Sequence, residues 1–402
     1  MDDRSAQLLA PGRDFHDLET LIRGRVREVI ATVLDEELEM ALGAASHERT
    51  SGRAGYRHGT RPPRKLLTSF GPVEIVVPRG RLKTETGTEE FESQLVRRYE
   101  RRTRRLDAAV LSSYLTGANT RKVKVALKPL VEGTGLSRSA VSRLVKRLQG
   151  VFERWRSRDL SGESYPILVL DGIRLPVRMA RRVVKVPVQV VVGVRDTGEK
   201  ELLELRVAPS ESRKAWDGVV EGLAGRGLAA PRLVLVDGNA GLIGAVQAAW
   251  PEAELQRCTR HKLENLLAKA PKHCHEELKR DYAGITHAGD REEAQKAYDA
   301  FCEKWRKLVP EVVTSLKEAG PDLLTFYGFP PEIWKSLRTT NLIERLNGEF
   351  RRRVKTQGSF PTEAAALVLL FGLIASGAIR MRKIDGYQKL PEWIATGERK
   401  SA

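Results

Sequence analysis

The sequence predicts an α/β protein with a mixed-sheet core, an all-helical insertion within that core, and mainly helical regions at the N-terminal end. Three observations predict this fold class. Consecutive β-prone runs fill residues 165–208, and helical stretches alternate with short apolar strands from 212 to 270. Residues 271–335 are charged, with helical spacing and few β-prone runs. Three strands followed by alternating helices and strands indicate a mixed sheet covered on both faces.

Composition favours a polyanionic partner. The 402 residues suggest two or three domains, and 69 basic against 52 acidic residues give a net charge of +17. This balance favours nucleic acid first and a membrane surface second, with a merely basic soluble enzyme as the alternative. The start of the chain lacks a signal-peptide pattern, and the apolar run at 367–379 is too short for a membrane span and predicts a buried helix. The three cysteines fit a reducing cytoplasm, so a cytoplasmic protein without a membrane partner is expected.

The N-terminal region predicts one helix, one loop and one hairpin. Apolar residues recur at helical spacing within 18–46, and the Gly/Pro/Arg-rich stretch 52–65 predicts a loop. The stretch KLLTSFGPVEIVVPRGR, residues 65–81, predicts a β-hairpin. The basic run 97–105, with Arg101 and Arg102, is either a solvated helix face or a phosphate contact.

Residues 120–148 predict a helix-turn-helix. Val123 and Leu127 lie on one face of a first helix, Gly133 and Gly135 supply a turn, and Ser137 is a natural N-cap for a second helix. Pro129 sits late in the first helix and should kink or shorten it. Polar side chains of the second helix remain for groove edges or phosphates, namely Arg138, Ser139, Ser142, Arg143, Lys146 and Arg147.

Two aspartates end or interrupt very apolar strands, Asp171 in ILVLDG and Asp237 in LVLVDG. A buried carboxylate without a partner is costly, so each needs a partner, a metal ion or a turn that exposes it. For either one alone, an Asp-Gly turn or a helix cap is the simpler interpretation.

Glu344 lies in the predicted helix RTTNLIERLNGEFRRR, residues 338–353, and changes that interpretation. No basic residue on its own helix stands three or four positions away, whereas Glu349 has Arg345, Arg352 and Arg353 at those spacings. The apolar stripe of this helix would pack on the sheet and hold Glu344 near the strand carboxylates. Three carboxylates with few local cations suit Mg²⁺, which prefers oxygen ligands.

With these residues in view, the chain resembles the Mutator-type DDE transposases of bacterial insertion sequences, which have a ribonuclease-H-like fold. The matching pieces run almost end to end, and their order and spacing are more specific than any single piece. They are GYRHG (55–59), TSFGPVEIVVPRGR (68–81), LTGANTRKV (115–123), SRSAVSRL (137–144), LDGIRLPVR (170–178), LVDGNAGL (235–242), QRCTRHKLEN (256–265), LRTTNLIERLN (337–347) and FP (360–361).

The resemblance implies a catalytic triad at Asp171, Asp237 and Glu344, which would hold two Mg²⁺ ions, with Mn²⁺ as a substitute. It implies binding of the terminal inverted repeats, hydrolysis at the ends of the element, and strand transfer into target DNA by a homodimer or larger assembly in the bacterial cytoplasm, on nucleoid DNA. Asn341 is expected to support the site, and phosphates would meet Arg351, Arg352 and Arg353 or, alternatively, these form a solvated face. The alternatives are a metal-dependent nuclease on the same fold and a non-catalytic DNA-binding regulator.

The expected domains are a DNA-binding and assembly region at 1–104, the helix-turn-helix at 105–155, a catalytic core in two parts at 165–270 and 336–385, and the helical insertion at 271–335.

The family's Cys-x-x-His element falls on Cys258 and His261. Together with the tract 273–275, which reads His-Cys-His, these residues supply enough ligands for zinc, but contiguous ligands are poorly spaced for chelation on a helix. The favoured interpretation places Cys258 at a strand end, supporting the site. His261 is then a catalytic or phosphate-positioning residue, and a purely structural histidine remains the alternative.

Overall fold

The computed structural model describes residues 13–48, 50–115, 120–128, 136–179, 182–357 and 359–396. The chain divides into two compact units, one formed by Met1–Tyr114 with Ala118–Lys146 and the other by Leu115–Gly117 with Arg147–Ala402. Where exactly the domains begin and end, as the sequence suggests them, stays a prediction.

The first unit combines one long helix with short strands. The elements are α1 (Arg13–Leu42), β1 (Gly55–Thr60), β2 (Arg64–Thr68), β3 (Gly71–Ile75), β4 (Pro78–Thr84) and β5 (Gly87–Glu90). Strands β1, β4 and β5 form one antiparallel sheet, and β2 and β3 form a hairpin. Leu34 of α1 packs in a buried cluster with Leu66, Val73 and Ile75 of that hairpin.

Three expectations for this unit were wrong. The stretch 52–65 contains a strand rather than only a loop, because β1 pairs through its backbone with β4 while most of its side chains stay exposed. A strand with mostly exposed side chains shows no alternation of apolar and polar residues in its sequence. The basic run at 97–105 is not a helix before Arg104, and the hairpin ends at Ile75 because residues 78–84 join the other sheet.

Helices α2 (Arg104–Leu115), α3 (Thr120–Ala126) and α4 (Arg138–Arg156) follow. The Ser137 side chain caps α4 by accepting a hydrogen bond from the Ala140 backbone N–H at 3.1 Å. The buried face of α4 carries Ala140, Val141 and Leu144, and the helix continues past the predicted end near residue 148. The predicted turn with Gly133 and Gly135, and Pro129 before it, lie outside the described residues.

The second unit is built on a five-stranded sheet with the order β10-β9-β6-β7-β8. Its strands are β6 (Ile167–Met179), β7 (Arg182–Val194), β8 (Lys200–Val207), β9 (Leu233–Val236) and β10 (Glu254–Arg257). Strand β7 is antiparallel to both β6 and β8, while β6, β9 and β10 run parallel. The predicted mixed α/β sheet is confirmed. Its strands carry fully buried Val, Leu and Ile side chains, which is why they stand out in the sequence as apolar runs.

Helices connect and cover this sheet. Helix α5 (Arg213–Gly225) leads to β9, α6 (Ala240–Ala249) leads to β10, and α7 (Thr259–Lys269) follows β10. A helical stretch follows with α8 (His275–Thr286), α9 (Arg291–Leu308), α10 (Pro310–Ala319) and α11 (Pro331–Leu337). The chain then returns to the sheet with α12 (Asn341–Gln357), α13 (Glu363–Ala375) and α14 (Leu390–Thr396).

The apolar run near residue 370 forms α13, whose residues Ala366–Leu373 are buried. Across the described ranges, the structure contains no helix with the length and apolar character needed to cross a membrane.

Candidate active site

The three acidic residues singled out in the sequence line one cavity of about 750 Å³ in the second unit. Asp171 lies in β6, Asp237 directly follows β9, and Glu344 lies in the first turn of α12. Strands β6 and β9 are parallel neighbours, so they deliver their carboxylates to the same region of the sheet. Helix α12 packs against β6, and this contact brings Glu344 to the cavity.

Helix α12 is held there by a buried apolar stripe. Ile343, Leu346, Phe350 and Val354 are all at most 4% exposed, at the spacing of one helix face. The side chain of Leu342, which also belongs to the predicted stripe, lies outside the described residues. The adjacent polar face carries Glu344 and Asn347, and both line the cavity.

Asp171 is the most buried of the three carboxylates, at 7% exposure. Its Oδ1 accepts a hydrogen bond from the Gly172 backbone N–H at 2.8 Å, and its Oδ2 accepts one from the Asn347 side-chain Nδ2 at 2.7 Å. Burial, followed by the negative charge of Asp237, raises the pKa of Asp171 to about 6. A buried carboxylate next to other carboxylates is electrostatically destabilised until a cation arrives.

Asp237 and Glu344 are each fixed by neighbours. Asp237 Oδ1 accepts from the Asn239 backbone N–H at 2.9 Å, and Asn239 in turn caps α6. Glu344 Oε2 forms an ion pair with Arg260 Nη1 of α7 at 3.0 Å. As the sequence predicted, no basic residue stands three or four positions from Glu344 on its own helix, but a cation from another helix pairs with it. This partner could not be predicted from the spacing of charges within residues 338–353, because Arg260 lies outside that segment.

The donor set fits divalent cations that prefer oxygen. Three carboxylates face one cavity, and the buried Oδ1 of Asn347 has no hydrogen-bond partner among the described residues. The oxygens of the three carboxylates are too far apart to bind one ion together. Among the described residues, only Cys258, His261 and Glu344 have ligand atoms that all lie within 4.8 Å of one another. A two-ion site does not need all three carboxylates on one ion.

Cys258 and His261 lie beside this set. Cys258 follows β10 at the start of α7 and is 3% exposed, and its Sγ accepts hydrogen bonds from the Thr340 backbone N–H at 3.4 Å and the Thr340 hydroxyl at 3.3 Å. Burial raises the pKa of Cys258, but contact with His261 and these donors outweigh it, so the pKa lies below the usual thiol value. Contact with Cys258 is also the main reason why the pKa of His261 is raised to about 9. The His-Cys-His tract at 273–275 is not part of this group.

The predicted DNA-contacting residues occupy different places. Ser139, Ser142, Arg143, Lys146 and Arg147 are exposed on α4, whereas the Arg138 side chain lies outside the described residues. Arg101 is exposed, but Arg102 is held by Asp107 at 2.6 Å. Of the basic run on α12, Arg351 lines the cavity with Asn341, and Arg352 pairs with Glu349. Arg353 is half-buried and does not line the cavity.

Sequence reasoning assigned no role to Asn347, Arg260 or Thr340. Asn347 stands three residues after Glu344 on the same helix face, so its position in the cavity could have been read from helical spacing. Thr340 lies one turn before Glu344 and contacts it, which helical spacing allows, but its contact with Cys258 joins residues distant in sequence. The same is true of the ion pair of Arg260 with Glu344, for which no local signal exists.

The amino-acid sequence is similar to known proteins over most of its length. A family model described as "Transposase, Mutator family" matches residues 4–380. The chain is 35% identical over 352 residues to the transposase for insertion sequence element ISRM5 of Rhizobium meliloti, covering 88% of this chain and 86% of that protein. It is 30% identical over 374 residues to the transposase for insertion sequence element IS256 in transposon Tn4001 of Staphylococcus aureus, covering 92% and 90%.

Among solved structures, the chain matches the Drosophila P element transposase strand transfer complex with a TM-score of 0.29 and 10% identity, over 73% of this chain and 84% of that one. A TM-score this low does not establish a shared fold or function.

Proposed function

The chain belongs to the Mutator family of transposases, and from this premise we propose that it cuts and joins DNA at the ends of an insertion sequence through a two-Mg²⁺ centre. Asp171, Asp237 and Glu344 are the proposed ligands, and Mn²⁺ is expected to substitute for Mg²⁺. The observation that carries the proposal is the convergence of these three side chains, far apart in sequence, on one cavity.

We assign the core to the ribonuclease-H-like fold. Its support is a sheet of three antiparallel strands followed by two parallel strands that each follow a helix, with acidic residues on the first strand, after the fourth, and on a late helix. Residues 271–335 are then the helical insertion, and the described chain from 259 to 357 contains no strand.

The chemistry follows from the ligands. When bound, the two ions activate the attacking oxygen and stabilise the leaving oxygen of an in-line phosphodiester displacement. Asn347 and the Gly172 N–H hold the Asp171 carboxylate in place for this task. Asn239 does the same for Asp237. First water hydrolyses a phosphodiester at the transposon end, and then the freed 3′-hydroxyl attacks target DNA, so no covalent protein–DNA intermediate is needed.

The cations around the cavity are suited to DNA phosphates. Arg345 and Arg351 line it together with Arg260 and His261. With its pKa raised to about 9, His261 carries a proton at neutral pH. We therefore assign it to donating a hydrogen bond to a phosphate oxygen rather than to accepting a proton from the nucleophile.

Recognition of the terminal repeats is assigned to the N-terminal part of the chain. Helices α3 and α4 form the proposed helix-turn-helix, with the exposed basic face of α4 towards DNA. Arg101 supplies a further phosphate contact. Because two ends must be cut together, we propose that a homodimer or larger assembly forms on the DNA.

The test uses a plasmid carrying the genomic DNA that flanks the coding sequence, incubated with full-length protein and Mg²⁺. We expect cleavage at the element's ends and joining to target DNA. Asp171→Asn should abolish both, since it removes a metal ligand, while DNA binding in a gel-shift assay is retained. Asp196→Asn, a change in the β7–β8 turn, is the matched control and should leave cleavage unchanged.

Unchanged cleavage by Asp171→Asn would overturn the catalytic assignment. Cleavage without joining would instead identify a nuclease on this fold. DNA binding without any metal-dependent cleavage would identify a regulator.

A further inference from the structure

We propose that Cys258, His261 and Glu344 form a second metal site, selective for Zn²⁺ or a similar thiophilic divalent cation and distinct in its ligands from the all-oxygen site. The site goes beyond the transposition chemistry, because its ligand set excludes Asp171 and Asp237. It shares only Glu344 with the proposed magnesium centre.

The geometry is close to that of a metal site. One potential ligand atom from each of the three residues lies within 4.8 Å of the others, and no other described group of this kind does so. His261 Nε2 is 3.8 Å from Glu344 Oε1. Ligands around tetrahedral zinc lie about 3.3–3.8 Å apart, so contraction by about 1 Å would complete the geometry.

The local structure makes this arrangement natural. Cys258 and His261 stand three residues apart at the start of α7, which places both side chains on one helix face. Glu344 comes from the first turn of α12, and Thr340, one turn earlier, bridges the two elements through its contacts with Cys258. The three ligands therefore come from two helix starts that are already in contact.

The ligands are incompletely satisfied without a cation. The Thr340 hydroxyl lies 3.3 Å from Cys258 Sγ and also 3.3 Å from Glu344 Oε1, yet it has one hydrogen to donate. Glu344 uses its other oxygen, Oε2, for Arg260, so Oε1 is the atom turned towards the cluster.

The donor chemistry selects the cation. A thiolate and an imidazole favour zinc over magnesium, whereas the carboxylates of Asp171 and Asp237 favour magnesium. A ligating imidazole must be neutral, so binding of Zn²⁺ would release the proton that His261 otherwise offers to a phosphate. Three protein ligands beside an open cavity leave a fourth position for water or a phosphate oxygen.

A functional consequence rests on the proposed function. If Glu344 serves the magnesium centre, an ion held by Cys258, His261 and Glu344 withdraws this ligand. Zn²⁺ should then inhibit Mg²⁺-supported end cleavage, and a zinc chelator should restore it.

The binding test uses the metal-free full-length protein and Cd²⁺ as a spectroscopic probe for zinc. We expect an ultraviolet sulfur-to-metal charge-transfer band that saturates at one ion per chain and is reversed by Zn²⁺. Cys258→Ser should abolish the band. Cys274→Ser and Cys302→Ser, which change the other cysteines, should retain it, as should Asp237→Asn.

Two further variants keep the test decisive if Cys258→Ser fails to fold. His261→Gln and Glu344→Gln should each weaken Cd²⁺ binding by at least about tenfold, because each removes a direct ligand. A band that survives Cys258→Ser, or that disappears in Cys274→Ser, overturns the site. Loss of Cd²⁺ binding in Asp237→Asn would show that the proposed zinc site is not separate from the magnesium ligands.

The outcomes separate the two proposals. Absence of the thiolate band, together with loss of cleavage in Asp171→Asn, refutes the zinc site alone. A band that depends on Cys258, together with unchanged cleavage in Asp171→Asn, refutes the catalytic assignment alone.

Discussion

At the scale of single residues, Glu344 raises the question of why a prospective metal ligand is paired with an arginine. The Arg260 side chain is 57% exposed, and such exposed ion pairs contribute at most about 1 kcal/mol. The pair is therefore weak enough for a divalent cation to replace it. In the absence of metal, it limits the repulsion between Glu344 and Asp171.

We expect Arg260→Gln to tighten Mn²⁺ binding, because it removes a cation that competes for Glu344. The improvement should be at most about fivefold, which corresponds to an exposed ion pair of about 1 kcal/mol. Titration calorimetry on the DNA-free protein measures it. Arg213→Gln is the control, since it removes the same charge from a similarly exposed side chain that does not line the cavity. Equal or weaker Mn²⁺ binding by Arg260→Gln would contradict this view of the pair.

Asp171 is expected to destabilise the metal-free protein at neutral pH. Its pKa is raised to about 6 by burial and by Asp237, above the ordinary value of 3.8. A raised carboxyl pKa favours the folded state only while the group is protonated, so this contribution is present below about pH 4 and is lost as pH rises to about 6. Asp171→Asn should therefore increase the free energy of unfolding at pH 7, on the order of 2–3 kcal/mol.

The unpaired Oδ1 of Asn347 can accept the new amide hydrogen in this variant. Denaturant unfolding at several pH values in a chelating buffer measures the increase in the free energy of unfolding, which should vanish near pH 4. Glu292→Gln, at an exposed carboxylate, should show no such gain. A variant that is less stable than the wild type at pH 7 would rule out this electrostatic cost.

The sequence singles out residues only where a local pattern carries the information. Asp171 and Asp237 interrupt apolar runs, and Glu344 lacks charged neighbours at helical spacing, so all three stand out in the amino-acid sequence alone. The pairing of Arg260 with Glu344 and the contact of Thr340 with Cys258 do not, because they join segments about 80 residues apart. The importance of such residues arises from folding and leaves no trace in local spacing.

At the scale of elements, burial decided which parts of the fold could be predicted. The strands β6, β7 and β9 contain apolar runs where they are buried, and their positions were read within a few residues. Strand β1 was missed because its side chains are mostly exposed and its stability comes from backbone pairing with β4. The turn before α4 stays a prediction, because its residues lie outside the described ranges.

Helix α4 permits a quantitative test of DNA contact. Arg143 and Lys146 are exposed on the face opposite Val141 and Leu144. If each neutralises a phosphate, its replacement by Ala should reduce the slope of log affinity against log salt by about 0.9. Fluorescence anisotropy with end DNA at several salt concentrations measures the slope. Arg154→Ala is the control, with the same charge on the same helix beyond the predicted reading segment. Equal slopes for all variants would remove α4 from the DNA interface.

At the scale of the whole molecule, the two units divide the proposed tasks. Every residue of the candidate site belongs to the second unit, whose core joins β6 and β9 with α5 and α6. The first unit has its own buried clusters, around Leu34 and around Leu38. Separate cores allow each unit to fold on its own interactions. The chain length predicted two or three domains, and their exact boundaries stay a prediction.

This division predicts that residues 137–402 fold without the rest of the chain. The fragment must keep all of α4, because Phe152 and Trp155 pack on Phe371 with ring centroids 5.4 and 5.0 Å away. It also keeps Ser137, which caps that helix.

We expect cooperative thermal unfolding and a melting temperature that rises with Mn²⁺, because an ion that binds only the folded state stabilises it. Asp171→Asn in the same fragment should abolish the rise, whereas preferential binding to end DNA should be lost in both fragments. A fragment that unfolds without cooperativity would show that the second unit depends on the first for its fold. Retained end preference would show that the residues before 137 are not needed to recognise the ends, and would leave recognition to α4 or to the second unit.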